Sequence, residues 1–179
     1  MPPPREEPGE LGAFGGVLEE YGDRMYSIAL RITGSPEEAE DATQDALLAA
    51  YQARERFRGE ASLTTWLYRI VVNVALQRVR TRRPVASLED TGFARASVVD
   101  WSDDLARRVA SDELREMIER GIGLLPEDLR VVLVLRDVEQ FSTAEAADIL
   151  ELTEAALKSR LHRARLLLRQ YLSDYLEGR

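Results

Sequence analysis

The chain has 179 residues, 45% of them hydrophobic, and a net charge of −8 at pH 7. That much apolar material suffices for one domain or two small ones and excludes global disorder. There is no cysteine, which excludes disulfides and thiolate metal sites. The start, Met1 to Glu10, lacks a signal-peptide core, and no apolar run approaches a membrane span, so a cytoplasmic location is expected.

The charge is unevenly placed. Residues 49–83 carry 8 basic and 2 acidic side chains, and residues 158–179 carry 6 and 2, within an otherwise acidic chain. Each phosphate contact is local, so two basic patches suit nucleic acid despite the overall sign. The acidic remainder either weakens binding to free DNA or faces a basic protein surface.

Residues 1–10 read as a disordered tail. From Leu11 to Thr33 the apolar residues Phe14, Val17, Leu18, Tyr21, Met25, Ile28, Ala29 and Ile32 recur every three or four positions, the period of an amphipathic helix. Gly34 can end it in a left-handed cap. Ser35-Pro36-Glu37-Glu38 then opens a second helix with a cap, a proline at the first position and a capping box closed by Glu38. This helix runs to about Arg54. Ala39, Ala42, Ala46, Leu47 and Ala50 face inward, and Asp41, Gln44, Asp45, Leu48 and Gln52 share an outer stripe. A charged stripe is commonly a solvated face; a leucine within it favours a partner surface.

Arg56 to Ser62 reads as a loop. The next helix spans Leu63 to about Arg80, with Leu63, Trp66, Leu67, Ile70, Val71 and Val74 as its core face. Thr65, Arg69, Asn73, Leu76 and Arg80 lie on a second face, flanked by Arg78, Arg82 and Arg83. That face suits backbone and base contacts, and it equally suits a solvated helix. Pro84 ends the helix, and residues 84–104 read as a flexible linker.

Leu105, Val109, Leu114, Met117, Ile118, Ile122 and Leu125 form another helical stripe. Pro126-Glu127 starts a further helix, and its helical flanks argue against a strand at the β-branched run Val131 to Leu135. Ser142 and Glu145 form a capping box for a short helix carrying Ala146, Ala147, Ile149 and Leu150. A turn over Glu151, Leu152 and Thr153 leads to a basic helix from Glu154. Leu157, Leu161, Ala164 and Leu168 occupy one of its sides, leaving Lys158, Ser159, Arg160 and Arg163 outward. A short helix, a tight turn and a basic second helix make the helix-turn-helix plan, whose second helix enters the major groove. The same pattern fits a helical hairpin with a solvated basic face. The expected fold is all-α: two small helical domains, 11–83 and 105–179, joined by the linker.

The single histidine, His162, sits among arginines. No acid pair, nucleophile–base pair, phosphate loop or metal cluster stands out, so neither enzyme activity, nor a metal, nor a cofactor is expected.

Glu40-Asp41-Ala42-Thr43-Gln44-Asp45, Arg56-Phe57-Arg58-Gly59-Glu60-Ala61-Ser62 and Thr65-Trp66-Leu67-Tyr68-Arg69-Ile70, with Asn73, resemble region 2 of bacterial sigma-70 family factors, in the extracytoplasmic-function (ECF) group. Leu124-Leu125-Pro126, Leu135 to Glu139 and Leu157 to Arg165 resemble region 4. The resemblance implies a transcription initiation factor. Asp41, Gln44, Asp45 and Leu48 would bind the clamp helices of the largest catalytic subunit of core RNA polymerase, and region 4 the flap of the second-largest. Arg58, Gly59, Glu60 and Ser62 would pocket a flipped base of the minus-ten element, while Arg69, Asn73, Gln77 and Arg80 hold the melted strand. Lys158, Ser159, Arg160 and Arg163 would meet the minus-thirty-five element. The resemblance also implies an anti-sigma factor and no small-molecule substrate. A stand-alone helix-turn-helix regulator, binding duplex DNA as a dimer, is the alternative. Glu151 departs from the family's usual glycine, and Thr153-Glu154-Ala155-Ala156 from the common P-x-G-T.

Overall fold

Capping residues and prolines cut the chain into helices much as their local chemistry dictates. The structure, a computed structural model, describes residues 8–57, 61–82 and 112–177. Among the described residues all regular structure is helical: α1 Pro8–Thr33, α2 Pro36–Ala53, a short 3₁₀ turn Arg54–Arg56, α3 Leu63–Arg82, α4 Asp112–Leu124, α5 Glu127–Leu133, α6 Thr143–Leu150 and α7 Glu154–Glu177. The chain divides into two compact units, Met1–Arg78 and Val79–Arg179. The expected linker, 84–104, and the stripe residues Leu105 and Val109 lie outside the described residues.

In the first unit α1 starts at Pro8, three residues before the expected position and within the stretch read as a tail. A proline is tolerated in a first turn because its missing N–H would be unsatisfied there anyway. Gly34 ends α1 in the left-handed region (φ 70°), its N–H donating to the Leu30 carbonyl at 2.8 Å. Ser35 caps α2 by accepting from the Glu38 N–H at 3.4 Å. The reciprocal half of the expected box is replaced, because the Ser35 N–H donates to Thr33 Oγ1. Ala39, Ala42, Ala46 and Ala50 are fully buried, a small-residue face on which α1 packs through Met25, Ile28, Ala29 and Ile32. Tyr68 of α3 is buried, with Tyr21 edge-on at 6.3 Å and the Arg24 guanidinium over its ring at 5.3 Å.

The core face of α3 is turned relative to expectation. Leu67 and Val71 are buried as predicted, together with Tyr68, Val72, Ala75 and Val79. Leu63 is exposed, and Trp66, Ile70 and Val74 are only half-buried. The apolar residues of α3 cover more than half its circumference, so the sequence spacing admits more than one inward arc, and packing selects one.

In the second unit α5 carries five consecutive buried residues, Leu129 to Leu133, and the β-branched run from Val131 is helical as its flanks require. It continues into one wide turn, Val134–Val138, closed by the Glu139 N–H on the Val134 carbonyl at 2.9 Å. Phe141, Ala146, Ile149, Leu157, Leu161 and Ala164 complete this core. A smaller cluster joins α4 and α7 through Leu114, Met117 and Leu172, with Ile118, Leu168 and Tyr171 against it. Arg130, 6% exposed, donates through Nη2 to the Gly123 and Leu125 carbonyls at 2.6 and 3.0 Å. It thus serves carbonyls that the end of α4 leaves without helical partners.

Candidate nucleic-acid interface

Three surfaces carry the expected functional residues. The first is the outer stripe of α2, where Asp41, Gln44 and Asp45 are exposed and Leu48 is 56% exposed. Arg78 of α3 reaches across to both acids: Nη1 to Asp41 Oδ2 at 3.1 Å and Nη2 to Asp45 Oδ2 at 2.5 Å. The hydrogen bond that Arg78 donates to Asp45 raises the Arg78 pKa against the opposing effect of burial, and the charges of Asp45 and Asp41 add to it. Arg78 was expected to flank the nucleic-acid face; it is instead bound to the acidic stripe.

The second surface is α3. Arg69, Asn73, Gln77 and Arg80 fall at i, i+4, i+8 and i+11, one row along the helix. Asn73, Gln77 and Arg80 are exposed and Arg69 is half-buried. Leu76 and Thr65, expected on this face, are buried instead. Trp66 is half-buried near the same row, its ring tilted against Phe57 at 5.0 Å. Its apolar spacing pointed to the core, and nothing in the spacing marks it as partly open. Ser62 is exposed and works as the cap of α3, accepting from the Thr65 N–H at 3.0 Å and donating to Thr65 Oγ1 at 2.9 Å. Arg58, Gly59 and Glu60 lie outside the described residues.

The third surface is the helix-turn-helix. The Ser142 capping box is complete: Glu145 N–H to Ser142 Oγ at 3.2 Å and Ser142 N–H to Glu145 Oε2 at 2.8 Å. At the turn Glu151 adopts the left-handed conformation (φ 54°, ψ 39°) that a glycine would occupy without strain. The Leu152 N–H on the Ala147 carbonyl and the Glu151 N–H on the Asp148 carbonyl, at 2.9 and 3.3 Å, give the paired bonds of a Schellman end. Thr153 caps α7 by accepting from the Ala156 N–H at 3.2 Å.

With Leu157, Leu161 and Ala164 buried, α7 presents Glu154, Ala155, Lys158, Ser159, His162 and Arg163 outward, and Arg160 is half-buried. Lys158 Nζ is 3.2 Å from Glu154 Oε2. Arg165 turns away from this row and grips Asp137 through two bonds, Nε to Oδ2 at 2.8 Å and Nη2 to Oδ1 at 2.6 Å. The Asp137 hydrogen bonds raise the Arg165 pKa. This clasp ties α7 to the wide turn after α5, so one of the arginines in the basic stretch has a structural task.

Among the described residues no group of three or more His, Asp or Glu side chains is placed to hold a metal, and no helix is long and apolar enough to cross a membrane.

The family profile for Sigma-70 region 2 matches residues 17–85, and that for Sigma-70, region 4 matches residues 115–168. An ECF RNA polymerase sigma factor, SigW of Bacillus subtilis (strain 168), is 32% identical over 172 residues, covering 93% of this chain and 92% of that protein. The ECF RNA polymerase sigma-E factor of Escherichia coli (strain K12) is 33% identical over 167 residues, or 90% and 87% of the two chains. Among solved structures, CnrH in complex with the cytosolic domain of CnrY is 26% identical with a TM-score of 0.67, over 92% of this chain and 90% of that one. RpoE from Bartonella quintana, solved with the anti-sigma factor NepR, shares the fold at 24% identity and a TM-score of 0.68, over 90% and 97%.

Proposed function

Because this chain belongs to the ECF group of the sigma-70 family of RNA polymerase sigma factors, we propose that it is an initiation subunit that binds core RNA polymerase, directs it to a subset of promoters and helps open the duplex there. The observation that carries this is the pairing, in order, of a region 2 match and a region 4 match along one chain. A stand-alone dimeric regulator leaves the first of these without a task.

Each surface then has a role within the proposal. The α2 stripe, Asp41, Gln44, Asp45 and Leu48, takes the clamp helices of the polymerase's largest catalytic subunit, acids meeting basic groups around one apolar contact. Arg78 is already bound to two of those acids, so the stripe meets its partner with part of its charge neutralised. Arg69, Asn73, Gln77 and Arg80 hold the melted minus-ten strand, with Arg58, Gly59, Glu60 and Ser62 at the extruded base. Extrusion costs roughly a few kcal/mol, which contacts to the open strand offset. Ser62 contributes there while also capping α3. In the second unit Lys158, Ser159, Arg160 and Arg163 contact the minus-thirty-five element from α7, and the flap of the second-largest subunit is the polymerase contact. The factor binds and positions rather than catalyses, takes no small-molecule substrate and works in the cytoplasm. An anti-sigma factor is its proposed regulatory partner.

Run-off transcription from a genomic promoter library tests the proposal, with core polymerase alone as control. The expected result is a set of transcripts that require this protein; none at any promoter refutes it. Arg163→Ala should lose transcription while keeping polymerase binding, and unchanged transcription would remove Arg163 from the upstream contact.

A further inference from the structure

The outward face of α7 carries three exposed pairs, one turn apart: Glu154 with Ala155, Lys158 with Ser159, and His162 with Arg163. Burial of Leu157, Leu161 and Ala164 fixes this face outward. The N-terminal residues of a recognition helix are the ones that reach base edges. Here the first of them is an acid, and its carboxylate touches the ammonium of Lys158 at 3.2 Å.

As phosphate-binding chemistry this arrangement works against itself, because Glu154 repels the backbone and cancels the charge of Lys158. As base-reading chemistry it is coherent. A carboxylate only accepts, and the major groove offers two kinds of donor, cytosine N4 and adenine N6. An ammonium only donates, and guanine offers two acceptors, O6 and N7. In a C·G pair the N4 donor and the O6 acceptor lie side by side on the groove edge. An acceptor and a donor in contact on the protein therefore match a donor and an acceptor in contact on the base pair. An A·T pair offers Lys158 only thymine O4 in the matching place, beside a methyl group. Ala155, next to Glu154, adds little bulk to obstruct the approach.

We propose that Glu154 is a specificity-determining residue, forming with Lys158 a single acceptor–donor unit that reads a C·G pair in the upstream promoter element. The proposal rests on the sigma-factor reading above.

The substitutions separate base reading from charge. Glu154→Gln keeps an acceptor and adds a donor, the combination that pairs with adenine N6 and N7, so preference at one position should move toward A·T. Glu154→Ala removes the acceptor and releases Lys158 to phosphate, so that preference should flatten and the dependence on salt should steepen by up to about one ion.

The test uses full-length wild type, Glu154→Gln and Glu154→Ala with core RNA polymerase. Promoters randomised through the upstream element compete for transcription over a salt series, and circular dichroism checks helix content. The near-isosteric Gln variant keeps the test open should the Ala variant unfold. Wild type should favour C·G at one position by about tenfold, with the two variants altered there and nowhere else. A C·G preference that survives in both variants overturns the proposal. So does a uniform rise for every sequence, which would leave Glu154 with phosphate repulsion alone. If wild type yields no promoter-dependent transcript, the sigma-factor reading fails first and the proposal falls with it; altered variants cannot produce that result.

Discussion

Two glycines of α4, two residues apart, should respond in opposite directions to the same substitution. A Cβ added to Gly121 would lie 2.6 Å from Leu168 Cδ1 and 2.8 Å from Tyr171 Cδ1, whereas one added to Gly123 meets nothing within 4 Å. Alanine gains about 0.8–1 kcal/mol of helix propensity over glycine in a helix interior. At Gly123, near the end of α4, about 0.5 kcal/mol of that should appear as added stability. At Gly121 the same gain is opposed by overpacking of about 1–3 kcal/mol. The Leu168 methyl can turn aside, but the Tyr171 ring is held in the cluster with Met117 and Leu172. The clash therefore wins, and Gly121→Ala should be destabilising by about 1 kcal/mol net.

Urea unfolding of the full chain, followed by hydrogen exchange at α4 and α7 amides, measures both effects. For a unit of this size about 1 kcal/mol corresponds to a shift of roughly 4–8 °C in melting temperature. Adding Leu168→Ala to Gly121→Ala should cost less than the two single changes predict, because it removes one of the two side chains the new methyl meets and gives the Tyr171 ring room to shift. A Gly121→Ala protein at least as stable as wild type would refute the close packing of α4 on α7. A destabilised Gly123→Ala protein would refute the propensity argument.

Glu151→Gly should stabilise the second unit by about 0.5–1 kcal/mol, since the left-handed conformation costs a non-glycine residue about 1–2 kcal/mol and glycine's extra unfolded freedom offsets part of the relief; thermal melting checks it. Ser142→Ala removes one half of the capping box and should cost about 1 kcal/mol, read as faster amide exchange in α6. Arg78→Gln should cost less than about 1 kcal/mol, because its partners Asp41 and Asp45 are exposed, and the difference should shrink in high salt. The same change leaves two acids unneutralised on the α2 stripe, so association with core polymerase at low salt should accelerate; slower association in stopped-flow would indicate that Arg78 positions those acids.

The sequence by itself determined the features that depend on neighbours within a turn or so. Helical period, the caps at Ser35 and Ser142, the inward alanines of α2 and the outward placing of Lys158, Ser159 and Arg163 all rest on contacts between residues i and i+4 or nearer, which spacing reveals. Tertiary structure decided which cations are already spoken for. Arg78 meets acids 33 and 37 positions away, and Arg165 meets one 28 positions away. No local pattern distinguishes these arginines from Arg163, which remains exposed. Tertiary structure also turned α3 so that Leu76 went inward and Trp66 partly out, because an apolar majority around the helix leaves its inward arc to the partners it packs against. At Glu151 it imposed a left-handed turn that the residue itself disfavours, because the helix it ends and the helix that follows must both reach the same core.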